Sequence, residues 1–189
     1  MNTFSKDINK CIEVLNSDGI ILYPTDTIWG IGCDATSAVA IKKIYELKKR
    51  EEKKSLIILV SDERMVEDYV KDSSPKIFSY LSQQKKPTTA IFKNAVHLPK
   101  ILINEDGTIA IRITKDKFCK TLIQQLKKPL VSTSANISGE KYPQNFLEVS
   151  KEIKNGVDYI VQHRQNDFEI KSPSSIIKLN DDDGIEIIR

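Results

Sequence analysis

Residues 20–27 read Ile-Ile-Leu-Tyr-Pro-Thr-Asp-Thr: four apolar side chains in unbroken succession, a proline, then three small polar groups. An apolar run without alternation marks a central strand buried on both faces, and Pro24 ends its ladder. Upstream, Ile8, Cys11, Ile12 and Leu15 recur at i, i+3, i+4 and i+7, the spacing of one buried helical face, and Asp18-Gly19 stops that helix. Helix followed by buried strand is the unit of an α/β fold. In open α/β sheets ligands collect at the carboxyl ends of such strands, where Thr25-Asp26-Thr27 stand. The same three residues also suit an Asx or Ser/Thr turn that satisfies only its own backbone.

Outward from this strand the alternation continues. Ile28 to Gly32 is a short apolar and glycine segment, in which Gly30-Ile31-Gly32 reads as a tight bend beside the strand. Ser37 caps a helix over about 38–49, with Ile41, Ile44 and Tyr45 inside. Ser55–Val60 reads as a second buried strand. Ser61-Asp62 cap a helix carrying Met65, Val66, Tyr69 and Val70, and Pro75 opens another around Ile77, Phe78 and Leu81. Strands follow at Thr88–Phe92 and Thr108–Ile113, then a helix over 116–127 and a short strand at Pro129–Val131. A Ser/Thr/Asn/Gly loop at 132–139, a helix over about 144–154, and strands near 157–162, 174–179 and 185–188 complete the order. The expectation is one domain over residues 1–189, an α/β fold with a twisted mixed sheet and flanking helices. The short interval between the strands at 88 and 108 favours some antiparallel pairing.

Composition narrows the function classes. With 40% hydrophobic and 29% charged residues among 189, the chain can bury a core without disulfides or metals, which excludes disorder and a mini-protein scaffold. No run approaches the ~18 to 20 apolar residues of a membrane span. The start, MNTFSKDINK, lacks an apolar signal core, so a cytoplasmic protein away from membranes is expected. Cys11, Cys33 and Cys119 are odd in number and lack a C-x-x-C pair, and His97 and His163 are too few for a histidine metal cage. The net charge of +3 does not by itself indicate nucleic-acid binding, while a pI of about 8.6 permits an anionic ligand.

Neither a G-x-x-x-x-G-K-[ST] nor a G-x-G-x-x-G motif is present. The polar groups of interest form four separated pieces. Tyr23–Gly30 is the hydroxyl-rich turn already described. Lys48 extends the apolar face of its helix toward the sheet and Arg50 follows in the next connection. Two such cations can hold a polyphosphate, or can simply complement the helix dipole. Arg112 shares a strand face with Thr108 and Ala110, opposite Ile109, Ile111 and Ile113; facing a cleft it would grip a carboxylate, facing solvent it needs no function. Ser132–Gly139 offers hydroxyl and amide groups suited to phosphate and adenine edges, or to turns and helix caps.

In combination, the YPTDTxxGxG turn, Lys48-x-Arg50, Arg112, Ser134-x-Asn136 and Pro173-Ser174-Ser175-Ile176 resemble the YrdC/TsaC family, the L-threonylcarbamoyladenylate synthases, over residues 8 to 189. The resemblance implies a nucleotidyltransferase that turns ATP, L-threonine and bicarbonate into threonylcarbamoyl-AMP and pyrophosphate. Mg²⁺ would enter with the ATP phosphates, with no protein metal cage and no protein general base nominated. It implies nucleotide contacts at Lys48, Arg50, Lys54, Thr108, Ser134, Asn136 and Arg189, with Lys48 and Arg50 stabilising charge in the reaction. Threonine contacts are implied at Thr27, Arg112, Ser132 and Ser174, Arg112 taking the carboxylate. The product would feed a threonylcarbamoyl transferase complex that modifies tRNA adenosine beside the anticodon. Direct tRNA or double-stranded RNA binding is the alternative function, and a carbamoyl-transfer domain like that of hydrogenase-maturation proteins a third. The chain departs from the family pattern at Gln84–Thr89, at Glu51–Ser55 and at Leu59, where some long relatives carry His. Its end near residue 189 also leaves out the extra C-terminal domain of longer members.

Overall fold

The run at 20–23 forms β1 (Ile21–Tyr23), every residue of it buried, in a computed structural model that describes residues 4–52, 56–180 and 184–189. Before it lies α1 (Ser5–Asn16) and after it β2 (Gly30–Gly32), α2 (Ala38–Leu47), β3 (Ile57–Val60), α3 (Glu63–Glu67) and α4 (Pro75–Gln83). The chain continues through β4 (Thr88–Phe92), β5 (Ile109–Ile113), α5 (Lys117–Leu126), β6 (Leu130–Ser134), α6 (Lys151–Asn155), β7 (Tyr159–Ile160), β8 (Ser175–Leu179) and β9 (Ile185–Ile187). One sheet collects these strands in the order β7-β1-β2-β6-β3-β5-β4-β8-β9. It is mixed: β1/β7, β3/β5 and β4/β8 run parallel, the remaining neighbours antiparallel, including the expected β4/β5 pair.

Side-chain hydroxyls and carboxylates set most helix starts. Ser37, Asp62, Ser74, Asp116 and Ser150 each accept a bond from a backbone N–H in the first turn of the helix that follows. Strand alternation then divides the core in two. Leu22, Ile31, Val131, Ile58 and Ile111 face a layer that includes Ile41 and Ile44 of α2 and Phe78 and Leu81 of α4. Ile21, Tyr23, Leu59 and Leu130 face Ile8, Cys11 and Leu15 of α1 and Phe118, Leu122 and Ile123 of α5.

Several segments differ from the sequence reading. Gly30–Gly32 is a strand between β1 and β6, not a bend. A Cβ at Gly32 would meet the Val131 carbonyl oxygen and lie 2.8 Å from the Tyr23 ring, so glycine is what leaves room for that carbonyl and ring. β6 runs on to Ser134, because pairing with β3 and β2 captures residues expected in a loop. The helix expected over 144–154 is split into a 3₁₀ turn at 146–148 and the short α6, since Ser150 is extended and caps α6. The helix after Asp62 ends at Glu67, and Val70 instead bridges to Ala95. β1, though doubly buried, lies second from the sheet edge beside the two-residue β7. Ser55 lies outside the described residues. Among the described residues no helix is long and apolar enough to cross a membrane.

Candidate functional site

Strand register assembles one wall of the site. Arg112 pairs with Leu59, Ile57 with Ser132, and Ser134 with Gly30, so these residues share a face of the sheet. Helices α1 and α5 cover that face around Ile21, Tyr23, Leu59 and Leu130. The rest is open, and forms the wall of a cavity of about 320 Å³ lined by Gly30, Ile57, Arg112, Ser132 and Ser134. Thr25 and Thr27 close it from the β1 side, Arg50 from the end of α2, and Tyr142, Pro173, Ser174 and Arg189 from the later loops and the segment after β9.

Arg112 is 3% exposed. Its Nη1 donates to Thr27 Oγ1 at 3.5 Å, and Nη2 lies 3.2 Å from Asp26 Oδ1. Its buried Nε has no hydrogen-bond partner among the described residues. A guanidinium donor left unpaired in the interior is costly unless something arrives to accept from it. The turn at 25–28 is at once self-satisfied and site-forming: Thr25 Oγ1 donates to the Ile28 carbonyl at 2.7 Å and accepts from Thr27 N at 3.0 Å, while both threonines line the cavity. Ser174 Oγ lies 2.9 Å from Thr89 Oγ1, and Arg189 Nη2 donates to the Ser174 carbonyl at 3.1 Å. Thr27, Arg112, Ser132 and Ser174 thus converge from four distant places in the chain.

The end of α2 explains the Lys-x-Arg spacing. Lys49 adopts φ 49°, its N–H bonds the Glu46 carbonyl at 3.0 Å, and Arg50 N bonds the Tyr45 carbonyl at 2.9 Å, which together form a Schellman motif. That turn sends Lys48 inward, Lys49 outward to Glu152 at 2.9 Å, and Arg50 back to the cavity. Lys48 is 1% exposed and does not reach the cavity wall: Nζ donates to the carbonyls of Ser134 at 2.5 Å and Asn136 at 2.6 Å. Burial, with the Arg50 charge nearby, lowers the Lys48 pKa to about 7. Burial also lowers that of Arg50.

Asn136 lies just past the wall. Its Nδ2 donates to the carbonyls of Ile137 and Glu140, and the buried Oδ1 has no partner among the described residues. Thr108 is not gathered with the others; its hydroxyl donates to Asp106 at 2.6 Å and accepts from Asn104 at 2.8 Å in a local turn. Lys54 lies outside the described residues. Lys85, Lys86, Pro87 and Thr88 of the divergent 84–89 segment line a second cavity, of about 920 Å³, with Asp26, Arg64, Lys115, Asp116 and Lys120. What distinguishes the smaller cavity is its buried guanidinium with a vacant donor. Among the described residues no group of three or more His, Cys, Asp and Glu could hold a metal ion.

Three features escaped the sequence reading: the partner of Asp26, Tyr142 and Arg164. Asp26 belongs to the quoted turn, but its partner Arg112 lies far along the chain. Tyr142 lines the cavity from an irregular loop. Arg164, bridging Asp116 at 2.8 Å and the Thr25 carbonyl at 3.4 Å, holds the turn from the 160s segment.

Comparison with known proteins places these features in context. The Sua5/YciO/YrdC family profile, described as telomere recombination, matches residues 13–189. A threonylcarbamoyl-AMP synthase of Idiomarina loihiensis is 36% identical over 146 residues, 76% of this chain and 78% of that protein. The protein of the same name from Escherichia coli is 34% identical over 142 residues, 73% of this chain and 75% of its own length. Among solved structures, P. abyssi Sua5 complexed with L-threonine superposes with a TM-score of 0.85 at 21% identity. The match covers 97% of this chain but only 54%, about half, of the P. abyssi protein.

Proposed function

The chain belongs to the Sua5/YciO/YrdC family, and from that premise we propose that it joins L-threonine, bicarbonate-derived carbon dioxide and ATP into L-threonylcarbamoyl-AMP, releasing pyrophosphate. The observation that carries this reading is the buried Arg112, its Nε unpartnered among the described residues, in one cavity with the hydroxyl side chains of Thr27, Ser132 and Ser174 and with Arg50 and Arg189 at its margins.

The chemistry follows from that layout. Arg112 takes the threonine carboxylate through directed, charge-assisted bonds, and the surrounding hydroxyls suit the substrate's polar groups. The neutral amine of threonine adds to carbon dioxide and loses a proton, giving a carbamate. A carbamate oxygen then attacks the α-phosphorus of ATP, and the bond to the β-phosphate breaks as pyrophosphate departs. Negative charge grows on the phosphate oxygens, where Arg50 and Arg189 can stabilise the transition state more than the ground state. Lys48 acts one step removed, by fixing the Ser134–Asn136 segment. Mg²⁺ enters as the ATP complex, carried by the phosphates, in keeping with its preference for phosphate and water ligands. The product is an activated carbamoyl donor for a tRNA-modifying transferase complex. Cytoplasmic residence accords with three buried, free cysteines.

Purified protein given ATP, L-threonine, bicarbonate and Mg²⁺ is expected to release pyrophosphate only when threonine is present, with threonylcarbamoyl-AMP detectable by mass spectrometry. Pyrophosphate release that ignores threonine would overturn the reading.

A further inference from the structure

We propose that Asp26 is a positioning residue for amino-acid binding: it holds the Arg112 guanidinium in the orientation that receives the substrate carboxylate. The inference rests on the reading of the smaller cavity as the threonine site. Arg112 lines that cavity, whereas Asp26 is among the residues lining the larger one. Asp26 therefore acts on the substrate through Arg112 rather than by touching it.

The geometry suits that division. Asp26 Oδ1 lies 3.2 Å from Nη2 but makes no aligned hydrogen bond, so it supplies a counter-charge without consuming a directed donor. Among the described residues the one hydrogen bond made by the guanidinium is long, 3.5 Å, from Nη1 to Thr27. Without Asp26, that contact alone would orient a planar fork whose bidentate recognition depends on angle. A buried cation in the empty enzyme also requires an opposite charge nearby, and Asp26, with 15% of its side chain exposed, provides one.

Calorimetric titration of the purified chain with L-threonine and, separately, with ATP tests this. In Asp26→Asn, which preserves shape and removes charge, the threonine Kd is expected to rise about tenfold or more, while the ATP Kd stays within about twofold of wild type. Asp26→Glu, which restores the charge one methylene further out, is expected to fall between. Threonine binding that is unchanged or tighter in Asp26→Asn overturns the proposal, because Asp26 would then merely compete with the substrate. Equal weakening of both ligands overturns it as well. If Asp26→Asn does not fold, Asp26→Glu carries the same readout, through the rise in its melting temperature with threonine against the rise with ATP. Wild-type protein that binds no L-threonine and makes no adenylate refutes the site reading itself; wild-type binding with an indifferent Asp26 series refutes only the role of Asp26.

Discussion

The Lys48 ammonium nitrogen lies 2.5 Å from the carbonyl oxygen of Ser134, so the end of α2 is tied to the end of β6 through a buried lysine. The backbone reinforces the tie, with Ser138 N donating to the Lys48 carbonyl at 2.8 Å. The family resemblance implied that Lys48 reaches phosphate directly. In this arrangement it shapes the segment carrying Ser134 and Asn136, and of the Lys-x-Arg pair Arg50 is the one that lines the cavity.

This tie should leave a signature in the pH dependence of stability. Burial holds the Lys48 pKa near 7, against 10.5 for the unhindered group. Between those values the unfolded chain binds more protons than the folded one, so stability rises with pH; below about 7 both states are protonated and the cost of the buried charge is fully present. From pH 7 to pH 9 wild type should gain roughly 2 kcal/mol from this group. Lys48→Met should lack that rise and, with two carbonyls unpaired, fall further behind wild type as pH increases. Urea unfolding of both proteins across pH 6 to 9 measures the difference, and parallel profiles would contradict it.

Lys49 occupies the left-handed position of the α2 C-terminal motif with φ 49°, a conformation that suits glycine. Its outward salt bridge to Glu152 is exposed on both sides and contributes little. Lys49→Gly should therefore stabilise the fold by up to about 1 kcal/mol, with the thermal midpoint as the readout and activity retained.

Gly32→Ala should do the opposite. The added methyl would meet the Val131 carbonyl and the Tyr23 ring, both fixed in the sheet interior. The expected loss is roughly 3 kcal/mol or more, seen as a lower denaturant midpoint. A near-neutral result would mean that β2 can shift away from β6.

These two substitutions also mark where sequence patterns cease to report structure. Helices α1, α2, α4 and α5 are legible because their apolar residues repeat at helical spacing and a Ser or Asp side chain caps all but the first. β2 has no such signal: Gly-Ile-Gly has little strand preference, and its conformation is imposed by the neighbours it fits between. Ser132 to Ser134 look like loop residues, yet are held extended by pairing on both sides. In the site, alternation along β5 was enough to set Arg112 apart from the isoleucines around it. The resemblance supplied the companions Thr27, Ser132 and Ser174. Tyr142 and Arg164 stayed hidden because they act from irregular segments, where only the folded chain decides what they approach.

Asn136 offers a test of the other side of the Lys48 tie. Its Nδ2 donates at 2.9 Å to the Ile137 carbonyl and at 2.7 Å to that of Glu140, an arrangement only an amide nitrogen satisfies at this position. Asn136→Asp would set an oxygen against two carbonyl oxygens, at a cost of about 1 to 3 kcal/mol. Protonation would relieve that clash by supplying a donor, so the folded-state pKa of the new carboxyl should lie above its unfolded value. Its stability contribution would then be present below about pH 4 and lost as pH rises through the folded pKa. Denaturant unfolding at pH 4 and pH 7 should accordingly show the variant closer to wild type at the lower pH, and Asn136→Ala, which cannot titrate, should show no such convergence. A constant gap between Asn136→Asp and wild type would mean that the loop relaxes around the new side chain and that the two carbonyl acceptors do not constrain it.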